Sequence, residues 1–431
     1  MKRFIITILL LAFAGLSFGA ENLPAIIPLP RKVVCKGKIA FTLTESTRIL
    51  LPRNDKVLRR TAEIFVQTIA REQNLMLKIR EKDSGEIRLT VDPQLAEEAY
   101  RLDITASGID IRGGSSAGVF YGLQSFRQLL AQYGTVLPAL QIEDAPSFGY
   151  RGAMLDCGRH FFTVDEIKTF IDLLALHKIN RFHWHLTEDQ GWRIEIRRYP
   201  ELTKIGSQRS ETVLGNNSPA YDGTPYGGYY TQDQLRDVVT YAAERFIVII
   251  PEIEMPGHAS AALAAYPNLG CIGEGYKVRT HWGVFPEVFC AGKESTFEFL
   301  QNVLEEVIKL FPSEYIHVGG DECPTKSWKV CPACQKRIQN ESLKDEHELQ
   351  SYFMLRIEKW LNKHGRHLIG WDEIMEGGLS PGAVIMSWRG TQGGIAAARE
   401  YHHVVMTPGQ YLYFDKRGTD SPDEPVSLNL S

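Results

Sequence analysis

The sequence predicts an α/β protein: a (β/α)8 barrel of the TIM type in which the eighth strand is missing, preceded by a smaller α+β domain. Three observations point there. From about Phe148 onward, short apolar runs alternate with longer stretches of helical periodicity. Several of those runs end in polar or aromatic clusters, as where active-site loops leave the C-terminal rim of a barrel. The stretch before Asp144-Ala145-Pro146 follows another pattern, with one amphipathic helix among strand-like segments. The expected organisation is a signal segment over 1–20, an α+β accessory domain over 21–145 and a barrel over 146–431.

Lys2 and Arg3 precede an apolar run over 4–16, and small residues Ser17, Gly19 and Ala20 follow. That three-part layout is that of a secretory signal, and the run is short for a spanning helix. The expectation is an exported protein, periplasmic or extracellular, with no membrane span after signal removal. A formal net charge of -4 gives no electrostatic reason for nucleic acid or an anionic membrane as partner.

In the accessory domain, apolar spacing predicts a helix over 57–72 and strands over 87–91 and 101–111. The run Gly113-Gly-Ser-Ser-Ala-Gly118 opens a further helix to about Tyr133. It meets neither the dinucleotide nor the P-loop spacing, so it reads as a turn that caps a helix. Beyond the boundary, strands are predicted over 152–156, 179–186, 247–253, 315–320, 367–371, 384–388 and 403–407. Helices are predicted over 164–177, 233–244, 296–310, 346–364 and 391–400. Seven strands result, one short of a closed barrel.

The seven cysteines of an exported chain permit disulfides, and the odd count leaves one thiol over. Cys271 and Cys290 bracket a loop-like stretch that a bridge would close. Cys331 and Cys334 form a C-x-x-C, for which zinc would require two further ligands at matching spacing. The sequence shows none, so neither metal nor cofactor is expected.

The sharpest local signal is Tyr315-Ile-His-Val-Gly-Gly-Asp-Glu322. Neighbours in a regular strand face opposite ways, but Gly319 and Gly320 permit a turn that brings Asp321 and Glu322 into one cavity. Two close carboxyls do not ionise together easily, which raises one of them and yields a proton donor. The plainer alternative is a loop with two solvated acids. His183 with His185, and Glu252 with Glu254, each share a strand face, and His258 lies just beyond. Such residues suit either a metal-dependent hydrolase or a hydrogen-bonded network that orients an acid. Trp192, Trp371, Trp388, Tyr411 and Tyr413 lie at or near strand ends, where flat rings suit the C–H face of a pyranose.

Seven stretches, in order, resemble glycoside hydrolase family 20, the β-N-acetylhexosaminidases. They are Arg151-Gly-Ala-Met-Leu-Asp156, His183-Trp-His-Leu-Thr-Glu-Asp-Gln-Gly-Trp-Arg193, Pro251-Glu-Ile-Glu-Met-Pro-Gly-His258, His317-Val-Gly-Gly-Asp-Glu322, Gly370-Trp-Asp-Glu373, Met386-Ser-Trp-Arg389 and Tyr413-Phe-Asp415. The resemblance implies exo-hydrolysis of terminal β-linked N-acetylglucosamine or N-acetylgalactosamine from a glycan, with retention and with the sugar's 2-acetamido oxygen as nucleophile. It implies Glu322 as proton donor and Asp321 as the residue steering the acetamide. Tyr413 would bond the acetamide oxygen, Trp371 and Trp388 would wall the pocket, and Arg151 and Asp415 would bind hydroxyls. His258, paired with Glu188, would support Glu322. The family commonly has Asp where Glu188 stands. Strand spacing alone places Asp156 nearer the rim than Arg151, and only the resemblance promotes the arginine. The family's last strand, with its Trp and Glu, has no counterpart before Ser431, so a sugar-binding protein without turnover is the alternative expectation.

Overall fold

The computed structural model describes residues 23–415, except 82–83, 216–217 and 379. The expected signal over 1–20 lies outside the described residues. The chain divides after Gly149 into two compact units, with Ala175–Lys178 grouped with the first.

The first unit is built on a seven-stranded mixed sheet. Its strands are β1 (Lys32–Thr42), β2 (Arg48–Leu50), β3 (Lys78–Arg80), β4 (Ile87–Val91), β5 (Tyr100–Thr105), β6 (Gly108–Gly113) and β7 (Val136–Asp144). Their spatial order is β1-β7-β5-β6-β4-β2-β3. The strand expected over 101–111 is two, because the chain reverses at Ala106-Ser107 and pairs β5 with β6 antiparallel. Gly108 sits so close to the Glu86 carbonyl that a Cβ would lie 2.4 Å from its oxygen. The helices are α1 (Lys56–Gln73) and α2 (Ser116–Tyr133), α2 packing on β5 and β6 and α1 on α2. The glycine-rich run is a helix cap: the Ser115 hydroxyl accepts from the backbone N–H of Ala117 and Gly118. Leu102, Ile104, Ile111, Leu123 and Phe126 are fully buried, so this interior is chiefly apolar. Its main polar feature joins Tyr100, Ser125, Asp144 and Lys178, with Tyr100 Oη 2.6 Å from Ser125 Oγ and Lys178 Nζ 3.1 Å from Asp144 Oδ2.

Among the described residues, the second unit's main sheet has seven parallel strands: β8 (Gly152–Asp156), β9 (Arg181–His185), β10 (Val248–Glu252), β11 (Tyr315–His317), β12 (His367–Trp371), β13 (Val384–Ser387) and β14 (Val404–Met406). They lie side by side in chain order as a curled parallel sheet. Each expected strand is present, and a helix follows most of them. These helices are α3 (Val164–Leu176), α4 (Gln232–Ala243), α5 (Glu294–Leu310), α6 (Pro332–Asn340), α7 (Glu346–Lys363) and α8 (Gln392–Arg399). Sequence reading missed only α6 among these, a nine-residue helix with weak apolar spacing. Continuous apolar runs such as Val248–Ile250 mark strands buried on both faces, as parallel sheets require. All strands run the same way, so their C-terminal ends meet at one rim. In register there stand Asp156, His185, Glu252 and His317, on four successive strands.

Candidate active site

The turn after β11 sets the geometry. Gly319 and Gly320 have φ of 68° and 92°, and Glu322 itself has φ of 42°. Those left-handed conformations break the alternation of the strand and let Asp321 and Glu322 face the same side. Glycine is required at Gly319 for a second reason, since a Cβ there would stand 1.6 Å from Glu254 Oε2. Both acids face one imidazole: His258 Nε2 lies 3.4 Å from Glu322 Oε2 and 3.6 Å from Asp321 Oδ2. The other nitrogen of His258, Nδ1, lies 2.9 Å from Asp189 Oδ2 and 3.1 Å from Glu188 Oε1. The expected Glu188 pairing is therefore shared with Asp189, which is the nearer acid and which sequence reading passed over. Asp189 also accepts from the Ser260 backbone N–H at 2.9 Å, so its carboxylate is fixed twice.

This arrangement sorts the protons. Burial disfavours a charged His258, yet Glu188, Asp189 and Glu322 together hold it protonated well above the usual range. Its hydrogen bond in turn holds the Glu322 carboxyl below its ordinary value. Burial pushes Asp321 up to about 6, with His258 opposing and the charges of Glu252 and Glu188 adding to the rise. Of the two adjacent acids it is Asp321 that is raised in the unliganded chain, because Glu322 is half-open to solvent and nearer the imidazole. Asp321 Oδ1 is buried with no hydrogen-bond partner among the described residues. It is an acceptor aimed at something other than protein.

Beneath this turn Glu252 acts as a hub. Its carboxylate lies 2.8 Å from His183 Nε2, 2.8 Å from His317 Nδ1 and 3.4 Å from His185 Nδ1. Burial alone would raise Glu252, but the three imidazoles hold it well below the ordinary value. Glu252 also accepts from Trp371 Nε1 at 3.0 Å, which fixes the indole plane. The neighbouring Glu254 is raised, by burial and by the charges of Asp321 and Glu252. The His and Glu pairs that suggested a metal in the sequence thus serve as one another's partners here.

Two further aromatic groups, Trp388 and Tyr413, complete this side. Trp388 donates from Nε1 to Glu373 at 3.0 Å, and its ring stacks on Tyr413, with centroids 6.4 Å apart at 17°. Glu373 is raised to about 7, chiefly by burial, with the Trp388 bond opposing and Asp321 adding. Burial also raises the Tyr413 phenol, and the charge of Asp321 contributes. Asp415 Oδ1 is buried without a hydrogen-bond partner among the described residues. Trp192 and Tyr411 do not join them: Trp192 is buried, donating to the Ile194 carbonyl at 2.7 Å, and Tyr411 is 80% exposed.

Arg151 is the correction. It precedes β8, and its carbonyl accepts from the N–H of Asn180 and Arg181 at the start of β9. Five residue steps along the strand take the chain from Arg151 to Asp156 at the rim, about 16 Å at the usual rise. The arginine at the rim is Arg159, three residues beyond β8, with Nη1 2.6 Å from Asp156 Oδ2 and Nη2 against Glu188. Those two acids, against the opposing effect of burial, raise its guanidinium further. The signal for it was position alone, since barrel sites are built from loops after the strands.

Set beside known proteins, residues 23–145 match the description "Glycosyl hydrolase family 20, domain 2", and residues 148–429 match "Glycosyl hydrolase family 20, catalytic domain". A beta-hexosaminidase of Porphyromonas gingivalis is 50% identical over 418 residues, which are 94% of this chain and 52% of that protein. One of Akkermansia muciniphila is 36% identical, over 78% of this chain and 69% of its own. Among solved structures, an exo beta-N-acetylglucosaminidase of Vibrio harveyi in complex with N-acetylglucosamine has a TM-score of 0.84. It is 35% identical, over 94% of this chain and 64% of that one. The beta-N-acetylhexosaminidase of Streptomyces coelicolor has a TM-score of 0.79 at 31% identity, covering 93% of this chain and 78% of its own. The chain spans about half the length of the Porphyromonas relative it matches. With both family descriptions matched in order over nearly its whole length, the chain belongs to glycoside hydrolase family 20.

Proposed function

We propose that this protein is an exo-β-N-acetylhexosaminidase, removing terminal non-reducing β-linked N-acetylglucosamine or N-acetylgalactosamine from a glycan with retention. The observation that carries the reading is the left-handed turn, which sets Asp321 and Glu322 side by side against one imidazole with their protons sorted differently. In this reading Asp321 accepts a hydrogen bond from the acetamide N–H through an oxygen the protein leaves unpartnered. Tyr413 donates to the acetamide oxygen, and that oxygen attacks C1 as the glycosidic bond breaks. Glu322 protonates the departing oxygen, then takes a proton from the water that opens the cyclic intermediate. Two inversions at C1 leave the β configuration. Glu322 starts ionised in the open site; a sugar covering its exposed edge removes water and lifts its pKa toward that of an acid.

Trp371 and Trp388 form the walls around the acetamide, each indole fixed by its own glutamate. Asp415 binds ring hydroxyls, and Arg159 takes the part first expected of Arg151. His258, with Glu188 and Asp189 behind it, positions Glu322. The accessory domain over 21–145 and the barrel from 146 onward are the working division of the chain. Export to the periplasm or beyond, directed by 1–20, fits a glycan outside the cytoplasm; no described helix is long and apolar enough to cross a membrane.

The test is hydrolysis of nitrophenyl N-acetyl-β-glucosaminide and its galacto isomer, with the first-formed anomer followed by proton NMR. Turnover with initial β product is expected. Calorimetric binding without turnover would make this a sugar-binding protein, and initial α product would exclude assistance by the acetamide.

A further inference from the structure

Away from the sugar site, four cysteines from two loops converge. Cys290 Sγ lies 3.5 Å from Cys334 Sγ and 3.7 Å from Cys331 Sγ, and Cys271 Sγ lies 3.9 Å from Cys334 Sγ. All four sulfurs fall within 4.8 Å of one another. Disulfide sulfurs stand about 2.0 Å apart, far closer than these. Four thiolates around a tetrahedral ion with bonds of about 2.3 Å would be separated by about 3.8 Å along each edge. The observed spacings bracket that value.

The backbone is shaped for it. A β-bridge between Gly270 and Phe289 sets Cys271 beside Cys290, with the Cys290 N–H donating to the Leu269 carbonyl at 2.9 Å. On the other side, Cys331 is the N-cap of α6 and Cys334 lies in its first turn, so the helix N-terminus favours negative sulfur. Pro332 occupies the first helical position, where a missing N–H costs nothing. The two halves approach through Gly292, where a Cβ would lie 2.2 Å from the Ala333 backbone carbon. Cys290, Cys331 and Cys334 are buried, and Cys271 is half-buried at the edge.

We propose that Cys271, Cys290, Cys331 and Cys334 hold one structural zinc ion. Soft thiolates in a closed tetrahedron select zinc, and the absence of an open position makes the site structural. Binding displaces the thiol protons and involves no electron transfer. The lone C-x-x-C of the sequence finds its missing ligands in Cys290 and Cys271, which lie 44 and 63 residues before Cys334 and are unreadable by spacing. The ion would staple two active-site loops. The Phe289 N–H donates to the Pro256 carbonyl at 2.9 Å, two residues before His258, while Cys331 caps the short helix Lys326–Val330 on the segment that leaves Glu322. Zinc therefore links the imidazole's loop to that of its carboxyl partner.

Metal analysis of the purified full chain, grown with zinc and without exogenous reductant, decides it. We expect about one zinc per chain, all seven thiols titratable after denaturation in chelator, and a zinc absorption-edge spectrum fitted by four sulfurs at about 2.3 Å. A Cys331→Ser/Cys334→Ser variant should lose the metal, and Cys35→Ser should keep it. Metal-free protein with three titratable thiols would mean two disulfides and overturn the proposal. Seven thiols without metal, iron in place of zinc, or nitrogen and oxygen scatterers would overturn it equally.

Discussion

The two sheets of this molecule share an apolar interior but differ in the ionisable side chains they bury. The mixed sheet of the first unit is closed by Leu102, Ile104, Ile111 and the helix residues Leu123 and Phe126. At the rim of the parallel sheet, His183, His185, Glu188, Asp189, Glu252, Glu254, His258 and His317 are all buried. Burying so many ionisable groups is costly unless each has a partner, and a scaffold has no reason to do it. The contrast teaches where to look for chemistry: stability is carried by apolar packing, and function by titratable groups held out of water at one end of the strands.

Substitutions should therefore fall into two classes, and a variant that crosses between them would break the contrast. The largest effect is expected from Glu322→Gln. Loss of the proton donor should lower kcat on the order of 10²–10⁴-fold, with the melting temperature nearly unchanged. Full activity in this variant would remove the central assignment. Asp321→Asn should cost on the order of 10²–10³-fold in kcat, because the amide no longer stabilises a positive charge. The same residue sets a pH signature. With Asp321 held at about 6, kcat/KM on acetamido substrates should rise with pH through that value as the carboxylate forms. That limb should vanish in the Asn variant, and a limb that persists assigns it to another group.

Leu102→Ala tests the other side. A fully buried isopropyl group is removed, so about 2–5 kcal/mol of stability should be lost while kcat per folded molecule stays the same. Denaturant titration with active-site counting measures both. The smallest effect is expected at Glu373→Ala, which releases Trp388 Nε1 without touching the acid pair. A drop in kcat/KM of about tenfold, mostly in KM, fits one lost hydrogen bond to a charged acceptor. A collapse of kcat would instead move Glu373 into the reacting set.

Much of the second unit was legible because its strands are apolar runs buried on both faces, with helices between them. The runs over 152–156 and 367–371 are reproduced without a shift in either end. In the first unit the strand over 101–111 concealed a hairpin, since a two-residue turn at Ala106-Ser107 lacks the usual Asn-Gly signature. β1 and β7 were also missed; charged residues and a proline interrupt their alternation. At the candidate site, glycines or strand ends flag Asp321, Glu322, His258 and Tyr413 in the sequence, while the resemblance alone proposes a part for each. Arg159 and Asp189 sit in loops without periodicity, where only three-dimensional proximity reveals them. Which of two adjacent acids is raised was likewise invisible, because it depends on an imidazole more than sixty residues away.

The crowding of carboxylates around Arg159 and His258 has a consequence for which molecules the pocket tolerates. Asp156, Glu188, Asp189, Glu252, Asp321 and Glu322 outnumber the cations beside them, so the field there is negative. Sulfated or uronic sugars should be repelled, whereas a ring bearing a protonated nitrogen should be drawn in. Inhibition constants for a basic piperidine analogue and its neutral lactam isostere, compared at several ionic strengths, would expose that preference; equal values would show the field to be spent on the protein's own cations.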